Sequence, residues 1–240
     1  MKQLISILVL AAFPVLTHAQ VKNLYASEII PVDLSLKKQK AIERQTVLLA
    51  KETLTESEKT ELDSLLHLFG ETTESIWDIV GGGCSWYCGG GNYKVLASSS
   101  LNDKSGIDYW PSGANDLSYN TAWVAGKNKG GIGEFIEYHF ENKSPRLTSI
   151  IISNGYYKSE STWKNNNRVR KLRLSVNGKP YAILNLKDIR ADQLFKVETL
   201  GHNSNGTDLV LRFEILEIFK GSKFDHTALT EIYFDGIDVH

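Results

Sequence analysis

Both cysteines of the chain fall in the stretch "GGGCSWYCGGG", residues 81–91, where Cys84 and Cys88 stand between two glycine triplets. Two thiols are too few for a zinc site without two further good ligands. Their three-residue separation also departs from the Cys-x-x-Cys of redox proteins. A structural disulfide, Cys84–Cys88, is therefore expected. Closing so small a loop stabilises by only about 2 kcal/mol, enough to staple a junction but not to hold a fold. The glycines allow the backbone to turn on both sides. Trp86 and Tyr87 are then expected to pack the preceding segment against the following domain.

No spacing in the chain places a nucleophile or an acid/base pair. There is no Gly-x-Ser-x-Gly elbow, no His-Glu-x-x-His and no Gly-x-x-x-x-Gly-Lys. The glycine run "GKNKGGIG" lacks a following helix to present amides to phosphate. His67, His139, His202 and His226 show no ligand spacing. An enzyme is not expected. The aromatic residues in predicted loops carry more chemistry: Tyr109, Trp110, Tyr156, Tyr157 and Trp163. Exposed rings stack on the apolar faces of sugars, and Asn154, Asn165, Asn166, Asn167 and Arg168 supply hydroxyl-binding groups nearby. The competing reading is that each ring closes an end of the core.

These residues need a scaffold, and the chain supplies one in parts. "MKQLISILVLAAFPVLTHAQ" has a charged start, a short apolar centre and small residues before Gln20. It reads as a signal peptide over 1–19, cleaved near Ala19-Gln20, which places the mature chain in a secreted, periplasmic or extracellular setting where a disulfide persists. Its apolar run is too short to span a bilayer comfortably, and no second apolar stretch has membrane length. A net charge of −1 over 240 residues offers no basic surface for nucleic acid or anionic lipid. Residues 20–80 are read as a helical region. Within 34–69, the capping box of Thr55 and Glu58 precedes Leu62, Leu65, Leu66 and Phe69 on one helix face, with Gly70 as the stop. This hairpin packs on the next domain or docks a protein partner. Residues 81–92 form the junction.

From residue 93 to 240 the apolar period becomes two. Strands are expected at 93–99, 133–140, 147–153, 169–176, 181–186, 208–219 and 229–237, rich in β-branched and aromatic residues. Asn177-Gly178 is the strongest hairpin signal, and an apolar phase shift predicts a bulge near Ile215. An antiparallel β-sandwich is favoured over an α/β fold. Trp123 is expected as a core plug.

Residues 93–237 resemble the discoidin-like, galactose-binding-type superfamily, most closely its NADase-type glycan-binding domain. The motifs that carry the resemblance are Asp116 with Thr121-Ala122-Trp123, Gly131-Ile132-Gly133-Glu134, Asn154-Gly155-Tyr156 with Lys158-Ser159, Asn167-Arg168, Gly221, and Thr230-Glu231-Ile232. The resemblance implies a jelly-roll sandwich that binds carbohydrate without catalysis. Trp110, Tyr156 and Trp163 would supply ring faces, and Asn154, Asn167 and Arg168 polar contacts. It further implies a candidate structural calcium site from Asp116, Ser118, Thr121 and Glu231. Here Leu117 stands where glycine is usual and Ser118 where Asn or Asp is common. In the alternative, Asp116 caps its own loop and Glu231 pairs with a base such as Arg168. No cofactor is required by either reading. A protein-interaction module of the bacterial cell envelope, built on the same sandwich, is the alternative function.

Overall fold

Along "FIEYHF" every second side chain, Ile136, Tyr138 and Phe140, is buried and the residues between are half-buried. That alternation makes it one strand of a sandwich. The computed structural model describes residues 21–71, 74–79, 86–89, 93–102, 109–127 and 129–238. The expected leader at 1–19, Cys84 and most of the glycine-rich junction lie outside the described residues. Among those described, no helix is long and apolar enough to cross a membrane.

The N-terminal region gives strands β1 (Lys22–Tyr25) and β2 (Glu28–Pro31), then helices α1 (Leu36–Leu49) and α2 (Glu56–Phe69). One turn of helix, α3 (Trp86–Gly89), precedes β3 (Tyr93–Ala97), β4 (Trp123–Val124), β5 (Phe135–Phe140) and β6 (Leu147–Asn154). A short helix, α4 (Glu160–Asn165), leads to β7 (Arg168–Val176) and β8 (Lys179–Asn185). The chain ends with β9 (Ala191–Leu200), β10 (Leu209–Phe219) and β11 (Ala228–Gly236). One sheet has the order β1-β8-β7-β10-β5-β3 and the other β2-β9-β6-β11-β4. All these pairings are antiparallel except β1 with β8.

The expected mainly-β sandwich preceded by a helical hairpin is what forms. The hairpin turn at Asn177-Gly178 takes φ of 49° and 77°, and the register shifts in β10 between Ile215 and Glu217, as the apolar phase indicated. Thr55 and Glu58 form the capping box at the start of α2. Three features were not foreseen. Residues 22–31, read as part of a helical region, are strands that extend one edge of each sheet, because β8 and β9 leave backbone groups there to be paired. β9 escaped notice because its buried start, Asp192 and Gln193, is polar. Residues 160–165, read as loop, form a helix because Ser159 and Thr162 cap it reciprocally.

Aromatic rings fill the interior. Phe234 meets Tyr138 at 5.0 Å and Phe140 at 5.1 Å, both edge-on. Trp123 is fully buried and donates its indole N–H to the Ser99 carbonyl at 2.8 Å. Trp86, 1% exposed, joins the same core through Phe140 at 5.4 Å and donates to the Pro145 carbonyl at 3.1 Å. The hydroxyl of Tyr87 accepts the Phe234 N–H at 3.1 Å. The two aromatics of the junction are thus packing residues.

Candidate functional site

Loops 154–168 and 219–228 meet at one end of the sandwich, and side-chain amides hold them together. Asn154 at the end of β6 is fully buried; its amide donates to the Val169 carbonyl at 2.7 Å and its carbonyl accepts the Val169 N–H at 2.8 Å. Asn167 is equally buried, accepting the Gly221 N–H at 2.8 Å and donating to Asp225 at 3.2 Å. Arg168, 7% exposed, forms a two-pronged pair with Asp188 at 2.9 and 2.8 Å and donates to the Asn166 and Lys220 carbonyls. These three were expected to contact sugar. Their polar atoms are instead engaged with the protein itself, so they position the loops. Arg168 pairs with Asp188 and not, as the alternative had it, with Glu231.

The Arg168 guanidinium lies 4.8 Å from the Trp163 ring centre, and the Trp163 N–H donates to the Asn154 carbonyl at 2.8 Å. Gly155 makes this stack feasible: its φ is 100°, and an added Cβ would sit 2.7 Å from both side chains. One face of the Trp163 ring is therefore covered by protein. Tyr156 is 7% exposed and packs with Ala122, Val124 and Ala228, its ring edge-on to Tyr109 at 6.2 Å. Tyr157 is fully buried and donates to the Ala191 carbonyl. Of the five loop aromatics, Trp110 alone stands well out, at 56% exposure, just before the short turn Pro111–Ala114. Sequence reasoning missed Phe224, 43% exposed with the Lys223 ammonium 5.1 Å from its ring centre. Its signal was an aromatic within the turn-forming run "FKGSKFDH".

Asp116 caps its own loop, as the alternative reading had it, and Glu231 meets the same loop. Both Asp116 oxygens receive the Thr121 hydroxyl, at 2.8 and 2.7 Å, and one takes the Ser118 N–H at 3.1 Å. Glu231 on β11 reaches the same loop, its Oε2 accepting the Leu117 N–H at 3.1 Å. Its other oxygen, Oε1, is buried with no hydrogen-bond partner. Burial, and then the charge of Asp116, pushes the Glu231 carboxyl well above the ordinary carboxylate range. An orphaned buried oxygen beside a second carboxylate fits a hard cation, and calcium takes oxygens of this kind. Asp116, Thr121 and Glu231 would hold it with backbone oxygens of the loop, and it would supply the positive charge that two close carboxylates need. Leu117 adopts φ of 55°, the left-handed conformation usually given to glycine. Its backbone N–H serves Glu231 and its carbonyl accepts the Ile79 N–H at 2.8 Å. Its side chain lines a cavity beneath the helices.

Two sheets, antiparallel but for β1 with β8, whose first long loop is tied to the last strand through the Leu117 N–H and Glu231 make up a discoidin-like, F5/8 type C domain. Residues 86–235 match the model of the NAD glycohydrolase translocation F5/8 type C domain, and the chain belongs to that family. Among solved structures, the chain is similar to the family 32 CBM of C. perfringens NanJ in complex with galactose. Identity is 16%, coverage is 63% of this chain and 96% of that one, and the TM-score is 0.43. It is also similar to a Clostridium perfringens CBM32 in complex with GalNAc-β-1,3-galactose, at 19% identity, 62% and 99% coverage and a TM-score of 0.42. A third likeness, to the mycobacterial arabinofuranosyltransferase AftD, has 14% identity, 62% and 11% coverage and a TM-score of 0.44. No curated protein matches the chain.

Proposed function

We propose that this chain is an exported, non-catalytic carbohydrate-binding module. The observation that carries the reading is Trp110, a large ring 56% exposed just before the short turn Pro111–Ala114. A Cβ on Gly113 would lie 2.9 Å from the Ala122 carbonyl oxygen, so the turn after Trp110 sits hard against the residue that leads into β4. An exposed indole offers a flat apolar face to sugar C–H groups. Phe224 is a second candidate platform, and its neighbour Lys223 a hydroxyl-binding group. Asp116 and Glu231 come close enough to interact, as a hydrolytic pair would, but Glu231 is fully buried and beyond a substrate's reach. They serve a structural cation site. The test is a glycan array probed with the mature chain, followed by titration of the hits. Trp110→Ala should weaken binding about tenfold or more with unchanged thermal stability. A clean array at high protein concentration would refute the reading.

A second reading, a docking module for a protein of the bacterial cell envelope, draws on α2. None of its residues is buried, and Leu68 is 69% exposed. Excising α1 and α2 should then abolish capture of that partner while sugar binding survives.

A further inference from the structure

The helices, β2 and residues 74–79 line, with residues of the second sheet, an open cavity of about 770 Å3. Its walls include Ile30, Ile42, Phe69, Ile76, Ile151 and Leu194. At its floor lies Asp192, fully buried on β9. One Asp192 oxygen accepts the Ser153 hydroxyl at 2.6 Å; the other accepts Tyr119 at 2.5 Å and Tyr233 at 2.9 Å. All three donors are neutral. Asp33, Asp78 and Asp235 also line the cavity, and Lys38 is the one basic residue among the described lining residues. Among the described residues none of these four aspartates takes part in an ion pair.

A buried carboxylate whose partners are all neutral hydroxyls keeps its charge uncompensated, and an acidic rim raises the local concentration of cations. The volume falls in the range of small-molecule sites, roughly 300–1,000 Å3. We propose that this cavity binds a small amphipathic amine, its apolar body against the walls and its ammonium directed at Asp192. Trp110 is not among its lining residues, and the proposal does not depend on the carbohydrate reading.

The experiment titrates the full mature chain with n-octylammonium, octanoate and 1-octanol, followed by calorimetry and by tryptophan fluorescence. Octylammonium should bind about tenfold or more tightly than octanoate. Asp192→Asn should remove that preference while 1-octanol binding persists. Ile42→Trp, which fills the cavity from the helix side, should abolish all three. Should Asp192→Asn fail to fold, Asp235→Asn at the rim decides, with an expected loss of about threefold for the amine alone. Equal affinity for amine and carboxylate, no saturable binding, or binding unchanged in Ile42→Trp would overturn the proposal. Binding of an amphipathic basic peptide but not of octylammonium would overturn it too, making the cavity a peptide groove.

Discussion

Glu231 shows at the residue scale how a buried group reports on its surroundings. Its folded pKa lies above the unfolded value, so the stability it contributes is fully present below the ordinary carboxylate pKa and is lost as pH rises through the folded value. Asp192, raised by burial, acts in the same direction. In chelator, the thermal midpoint should therefore fall as pH rises above the ordinary carboxylate range. Calcium should lessen that fall, and Glu231→Gln should flatten it in part, leaving the share of Asp192. A midpoint independent of pH in chelator would refute this. Asn154 was legible as an important residue but not in its role. With both ends of its amide bonded to Val169, Asn154→Ala should lower unfolding free energy by about 2 kcal/mol in urea titrations. Trp110→Ala, at an exposed position, should change it by less than about 0.5 kcal/mol.

At the scale of elements, the N-terminal region divides into two parts with different duties. β1 and β2 each extend a sheet edge, and Lys22 adds a bond to Glu198 at 2.8 Å. α1 and α2 are joined mainly to one another. Arg44 clamps Glu61 with two bonds at 3.0 and 2.7 Å, and Gln45 donates to the Gly70 carbonyl at 2.7 Å. Removing residues 21–33 should therefore destabilise the sandwich by several kcal/mol, about 0.5–1.5 for each ladder bond lost, read as a lower urea midpoint. Replacing residues 36–69 by a short Gly/Ser linker should leave the sandwich folded but uncover Ile151 and Leu194 on the second sheet. Increased binding of a hydrophobic dye, with the midpoint little changed, is the expected result. The strands of the sandwich were readable because their period-two pattern is local. β1, β2 and the start of β9 were not, since their justification is an edge or a hydrogen-bond partner far away in the chain.

At the scale of the whole molecule, the family-matched residues 86–235 carry the loop-end residues and the candidate cation site, while α1 and α2, outside that span, supply part of the lining of a cavity. Leu117 joins the two regions, its backbone turned toward Glu231 and its side chain toward the cavity. The family resemblance pointed to the acidic set on the first long loop and last strand, and the residues alone determined the sandwich, the helical hairpin and the bulge near Ile215. Each of these follows from periodicity, turn chemistry or a short motif. Only the tertiary structure decided which polar groups remain for a ligand. Asn154, Asn167 and Arg168 find their partners in Val169, Gly221 and Asp188, on neighbouring strands and loops. A side chain's type states what it can bond; its availability depends on what the fold has brought within about 3 Å of it.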